Sequence, residues 1–248
     1  MSQQYKLHQF TNEKEFIEGS CEFIYDIIKN AIAVRGNAVI GLSGGTSPKA
    51  IYAALTVPSE KNQTIDWTRV FFYSVDERYI GKESPDSLYH LVRHTIFADS
   101  TPVSGLIDKH FTTPDTSLAL PECINKYKSD LSQLVQTKSD GAPDLSILGM
   151  GEDGHIASIF PQMDSTPDKH IDLPTDLVYH TTTTRFAIFD RITTNLNFLT
   201  SSRNKLFFMK GESKKKVWDE MVAQPTNPYR WPAQAINQSG HSNVFYLV

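Results

Sequence analysis

The residues able to do chemistry cluster around glycines in two separate stretches of the chain. The downstream stretch reads Asp144-Leu145-Ser146-Ile147-Leu148-Gly149-Met150-Gly151-Glu152-Asp153-Gly154-His155. Leu145, Ile147 and Leu148 are strand formers, whereas Gly149, Gly151 and Gly154 permit positive φ and close backbone approach. A buried strand therefore delivers an imidazole to a turn. Histidine is the side chain best suited to proton transfer near neutral pH, and Asp153 stands two residues before His155, where it can orient the ring. A loop histidine merely satisfied by Asp153 fits the same pattern.

The upstream stretch is Gly41-Leu42-Ser43-Gly44-Gly45-Thr46-Ser47-Pro48, preceded by Ala38-Val39-Ile40 and followed by Ala50, Ile51, Ala53, Ala54 and Leu55 at helical spacing. Strand, glycine turn and helix is the expected order. Ser47 is the expected N-cap and Pro48 the first helical residue, and the N–H groups of that first turn would attract an anion, most naturally a phosphate. A tight turn without a ligand is the plainer alternative. No Gly-Lys-Ser/Thr follows, so this is not a Walker loop.

A third cluster, Asp76-Glu77-Arg78, ends the apolar run Arg69 to Val75, and Asp86 then opens a helix through Leu88, Leu91, Val92 and Ile96. Three apolar strands thus end in Gly, Asp, Arg or His. Open α/β sheets bind ligands at such carboxyl ends, which predicts one shared cleft. Around these lie a first amphipathic helix (Phe16, Ser20, Phe23, Ile24, Ile27, Ile28, Ala31) ending near Arg35-Gly36-Asn37, and a strand over Lys205 to Met209. A helix begins at Gly211-Glu212-Ser213-Lys214, and a closing strand runs over Asn243 to Val248. Arg191 and Lys214 are the downstream cations expected near a phosphate. Lys215 and Lys216 read as surface residues.

The chain has 248 residues, a formal charge of −4 and two widely spaced cysteines, Cys21 and Cys123. That length suits a single α/β domain over 1–248. The cysteines exclude a disulfide scaffold and a cysteine zinc site, and they fit a reducing cytosol. The polar start and the lack of a long apolar run indicate neither a signal peptide nor a membrane span, so a cytoplasmic protein with no membrane partner is expected. The negative balance and the lack of a basic stripe argue against nucleic acid. A small phosphorylated metabolite held by local cations fits better.

These motifs, in this order, resemble those of the 6-phosphogluconolactonases, within the superfamily that includes glucosamine-6-phosphate deaminase. Leu42 to Pro48 is similar to the family's phosphate loop, Asp76-Glu77-Arg78 to its Asp-Glu-Arg signature, and Leu148 to Pro161 to its long histidine motif. Arg191-Ile192-Thr193 and Gly211 to Lys214 resemble two weaker motifs. The sequence departs from the pattern at Leu88, where Asn is usual, at Ile80-Gly81, where Val-Pro is common, and in a last strand without the usual Trp and Asp. The resemblance implies a three-layer α/β fold with a mostly parallel Rossmann-like sheet and helices on both faces. Glucosamine-6-phosphate deaminase, ribose-5-phosphate isomerase and the CoA-transferases share this fold. It also implies hydrolysis of 6-phospho-D-glucono-1,5-lactone in the oxidative pentose phosphate pathway, with no metal or redox cofactor. His155, Asp153, Arg78 and Asp76 become the catalytic candidates, and Ser43, Gly44, Gly45, Thr46, Ser47, Arg191 and Lys214 the phosphate-binding ones. Arg78 suits either the phosphate or the developing negative charge. The expected partner is the phosphosugar lactone alone, bound by a monomer or small homo-oligomer.

Three other readings compete. A glucosamine-6-phosphate deaminase shares the glycine loop and the Asp-Gly-His element, but that branch resembles Asp-Glu-Tyr and Phe-Asn-Glu-Pro where this chain has Asp-Glu-Arg and Ser158-Ile159-Phe160-Pro161. A serine hydrolase would use Ser43, since Gly41 to Gly45 satisfies Gly-x-Ser-x-Gly, yet too few strands precede it. A sugar-phosphate sensor would bind through the same loops without catalysis. His90 and His94 share helical i,i+4 spacing, but the Glu of a zincin and an obvious third ligand are missing, so they read as solvated side chains.

Overall fold

The computed structural model describes residues 5–162 and 173–248. Strand β1 (Tyr5–Phe10) precedes helix α1 (Glu13–Arg35), which Asn12 caps through its side chain and Gly36 ends in the left-handed region at φ 82°. The chain continues through β2 (Ala38–Leu42), α2 (Lys49–Leu55), β3 (Val70–Ser74), β4 (Asp76–Arg78), α3 (Leu88–Arg93), α4 (Ile107–His110) and β5 (Phe111–Thr112). It then forms α5 (Leu120–Lys138), β6 (Leu145–Gly149), β7 (Val178–Thr182), β8 (Asp190–Thr194) and α6 (Leu196–Ser201). The last elements are β9 (Lys205–Lys210), α7 (Glu212–Ala223), α8 (Pro232–Gln238) and β10 (Ser242–Leu247).

Seven strands form one parallel sheet in the order β1-β10-β9-β6-β2-β3-β5. Along β2, Ala38, Ile40 and Leu42 enter the core that α1 and α2 cover. Val39 enters the opposite core, with α5, α7 and α8. Such alternation within an apolar strand requires helices on both faces, giving the expected three layers. From β2 the chain builds outward through β3 and β5, then returns to β6 on the other side of β2. That reversal makes the β2–β6 boundary the switch point, where the loops diverge and leave a crevice.

Asp76-Glu77-Arg78 does not lie on the end of β3 as expected. It forms its own strand, pairing antiparallel with β8 in a second sheet ordered β4-β8-β7. Two expected caps also differ. The residue before α2 is Pro48 rather than Ser47, with no side-chain bond, because Ser47 is already buried in the turn. Helix α3 is capped by Ser87, not Asp86, since the Ser87 hydroxyl reaches the His90 N–H at 2.9 Å. The last strand is complete despite its unusual residues, paired with β1 and β9 along all six positions.

Candidate active site

Carboxyl-end loops of β2 and β6, together with β4, β8 and the start of α7, enclose a cavity of about 550 Å³. Its wall includes Ser43, Gly44, Gly45, Thr46, Asp76, Arg78, Asp153, His155, Arg191 and Lys214. Ten of the eleven residues singled out from the sequence therefore share one cleft. Ser47 is buried and absent from the wall.

His155 is positioned by its own loop. Its Nδ1 lies 2.6 Å from Asp153 Oδ1, which also accepts the His155 N–H at 3.0 Å. With Asp153 ionised, Nδ1 holds the proton and Nε2 keeps its lone pair. The ring lies so close over Gly151 that a Cβ there would stand 2.1 Å from it. Gly154 has φ 87°, and a Cβ on it would meet the Trp231 ring at 2.4 Å, so only glycine fits. From outside the loop, Arg230 donates to the Asp153 carbonyl at 3.0 Å while stacking on Trp231 at 3.6 Å. The Phe160 and Phe186 rings flank the imidazole at 5.1 and 5.6 Å.

Arg185 pairs with Asp153 Oδ2. Burial pushes the Asp153 carboxyl upward, but its bond to His155, the His155 charge and Arg185 outweigh that and hold it well below the ordinary carboxylate range. Sequence reasoning missed Arg185 and Phe186: they follow a run of threonines in a loop without periodicity, and nothing local marks them as facing a histidine.

Three further cations line the same cavity, and Arg191 lies over the Phe186 ring at 5.4 Å. Arg78 and Arg191 are directly opposed across the β4–β8 ladder, and Arg191 is 6% exposed. Burial, then the Arg78 charge, pushes Arg191 below its ordinary value. Burial likewise lowers Lys214, partly offset by Glu152. Among the described residues none of these three cations forms an ion pair with a carboxylate. The glycine loop adds donors: the N–H groups of Gly44, Gly45 and Thr46 meet no protein acceptor among the described residues. Arg78 lies along that loop, where a Cβ at Gly44 would be 3.5 Å from its Nη1.

Asp76 accepts the Ser158 hydroxyl at 2.6 Å, tying β4 to the segment after His155. Glu77 is buried, and burial raises its carboxyl to about 7 against the pull of three backbone N–H groups. Ser43 gives its hydroxyl to the Ile147 carbonyl at 2.8 Å, so it is bonded to the sheet rather than to a base. His90 and His94 stack on each other at 4.0 Å. No group of three metal-binding side chains occurs among the described residues. No helix of the described residues is long and apolar enough to cross a membrane.

Fold and site define a doubly wound α/β protein with a carboxylate-paired histidine and several cations in one cavity, at the switch point of its sheet. The family described as glucosamine-6-phosphate isomerases/6-phosphogluconolactonase matches residues 11–246, and the chain belongs to it. It is 56% identical over 237 residues to a protein of Dictyostelium discoideum named probable 6-phosphogluconolactonase, covering 95% of each chain. Among solved structures, 6-phosphogluconolactonase from Plasmodium vivax superposes with a TM-score of 0.82 at 25% identity, over 100% of this chain and 91% of the other. A putative 6-phosphogluconolactonase from Neisseria gonorrhoeae gives 0.78 at 26% identity, over 98% and 100%.

Proposed function

We propose that this chain hydrolyses 6-phospho-D-glucono-1,5-lactone to 6-phospho-D-gluconate in the oxidative pentose phosphate pathway. The observation that carries this reading is that the Asp153–His155 pair shares one cavity with cations that have no carboxylate partner among the described residues. A cyclic ester needs a positioned base to take a proton from water, then an acid for the departing ring oxygen. His155 Nε2 takes the proton as the water oxygen bonds to C1. The tetrahedral adduct then expels the ring oxygen, which receives the proton back as the C5 hydroxyl.

The Gly44, Gly45 and Thr46 amides, with Arg191, Lys214 and Arg78, hold the phosphate at the far end of the substrate. Binding energy from this remote group positions C1 against the imidazole. Asp76 takes a sugar hydroxyl. The chain acts as one domain over 1–248, monomeric or as a small homo-oligomer, in the cytoplasm, where its two free buried cysteines stay reduced.

A deaminase is not favoured. Residues 158–161 are Ser-Ile-Phe-Pro, so Phe160, whose ring lies 5.1 Å from that of His155, stands where a deaminase-like Phe-Asn-Glu-Pro loop would present a carboxylate. The deciding experiment is a pH-stat assay of freshly generated lactone, corrected for its spontaneous opening, with ammonia release from glucosamine 6-phosphate measured alongside. His155→Ala should lower turnover by about 10²–10⁴, the scale of a general acid–base contribution. Near-normal turnover would exclude the assigned base.

A further inference from the structure

Glu77 does not line the cavity, yet it is 2% exposed and forms no ion pair among the described residues. A carboxylate so placed must be satisfied locally, and its bonds show what it joins. Oε1 accepts from the Arg78 N–H at 2.7 Å and the Leu88 N–H at 2.9 Å, and Oε2 accepts from the Tyr89 N–H at 2.9 Å. Ser87 satisfies the third donor of α3, His90. Helix α3 is thus capped from two sides, once by its neighbour in sequence and once by a residue of β4. Arg78 closes the connection a second time, since its Nη1 donates to the Asp86 carbonyl just before the cap. The eleven-residue excursion from Arg78 to Leu88 is held shut at both points, and both end residues stand in the cavity wall.

We propose that Glu77 is a positioning residue for the substrate phosphate: it fixes the Arg78 guanidinium along the glycine loop by tying the Arg78 backbone to the start of α3. This rests on the lactonase reading for the identity of the anion, but the tether itself belongs to the fold. Glu77→Gln is the informative change, because the amide keeps the volume and one acceptor oxygen while turning an NH₂ group toward a backbone N–H.

The test measures steady-state kinetics and calorimetric binding of 6-phosphogluconate for wild type, Glu77→Gln, Arg78→Ala and the double variant. For Glu77→Gln we expect KM and the dissociation constant to rise about tenfold or more, the scale of a lost hydrogen bond to a charged group, with kcat within about threefold. The double variant should be little worse than Arg78→Ala, because both changes remove the same guanidinium. Independent, multiplying effects, or a fall in kcat at constant KM, would overturn the proposal. Where Glu77→Gln does not fold, Glu77→Asp carries the test: its shorter carboxylate cannot span all three donors, and the same coupling to Arg78→Ala is required. A wild type without lactonase activity would sink the functional reading alone, since coupled losses of 6-phosphogluconate binding would still report the tether.

Discussion

Asp153→Asn probes how the imidazole is made a base. The contact to His155 Nδ1 is 2.6 Å, the range of a charge-assisted bond, and the ionised partner is largely withdrawn from water. As His155 takes the water proton it becomes an imidazolium, and the carboxylate stabilises that charge more than it stabilises the neutral ring. A bond of this type contributes about 1.5–3 kcal/mol, and the amide can also present its NH₂ to Nδ1 and select the wrong tautomer. We expect kcat to fall by about 10²-fold or more, with KM changed only a few-fold because the cations holding the phosphate belong to other elements. Turnover measured with spontaneous opening subtracted decides the matter. An Asp153→Asn enzyme within threefold of wild type would refute the reasoning.

Other consequences concern binding and stability. Lys214→Ala should raise KM about tenfold and leave kcat nearly intact, as expected for a group contacting a part of the substrate that does not react; an unchanged KM would remove Lys214 from the phosphate site. Gly154→Ala combines a positive φ with a Cβ 2.4 Å from the Trp231 ring, and should cost about 2–4 kcal/mol. Calorimetry should show Tm lowered by roughly 5–15 °C, and no change would mean that α8 yields freely. Glu77 has a carboxyl raised from 4.5 to about 7 in the fold, so its contribution is fully present below 4.5 and lost as pH rises through 7. Between pH 5 and 8, wild type should therefore lose about 2–3 kcal/mol relative to Glu77→Gln in urea unfolding, and parallel pH profiles would contradict that sign.

What could be read from sequence was what depends on neighbours along the chain. The apolar runs into Ser43, Asp76 and His155 mark strands because alternating burial demands it, and the glycines of the histidine loop declare a turn that a side chain would block. Their meeting in one cleft followed from the parallel sheet. The rest depends on residues that meet only in the fold. Arg185 reaches Asp153 from a loop whose sequence carries no period, and Arg230 and Trp231 brace the histidine turn from the start of α8. The run through Val75 into Asp76-Glu77-Arg78 reads as one continuous strand end. Only the pairing with β8, remote in sequence, shows that these three residues leave the main sheet.

That departure from the main sheet accounts for the electrostatics of the site. Directly opposed like charges weaken a ladder, and burial of Arg191 adds to the penalty. Asp76 and Glu77 offset part of it through space, but Asp76 is engaged with Ser158, and the carboxylate of Glu77 accepts backbone N–H groups. On the proposed reading, a dianion lying between the guanidiniums relieves the remaining repulsion, so folding has already met the cost of assembling the anion site. Binding energy released at the phosphate end can then be used to hold the lactone carbon against His155, which is where a reaction with so reactive a substrate needs help.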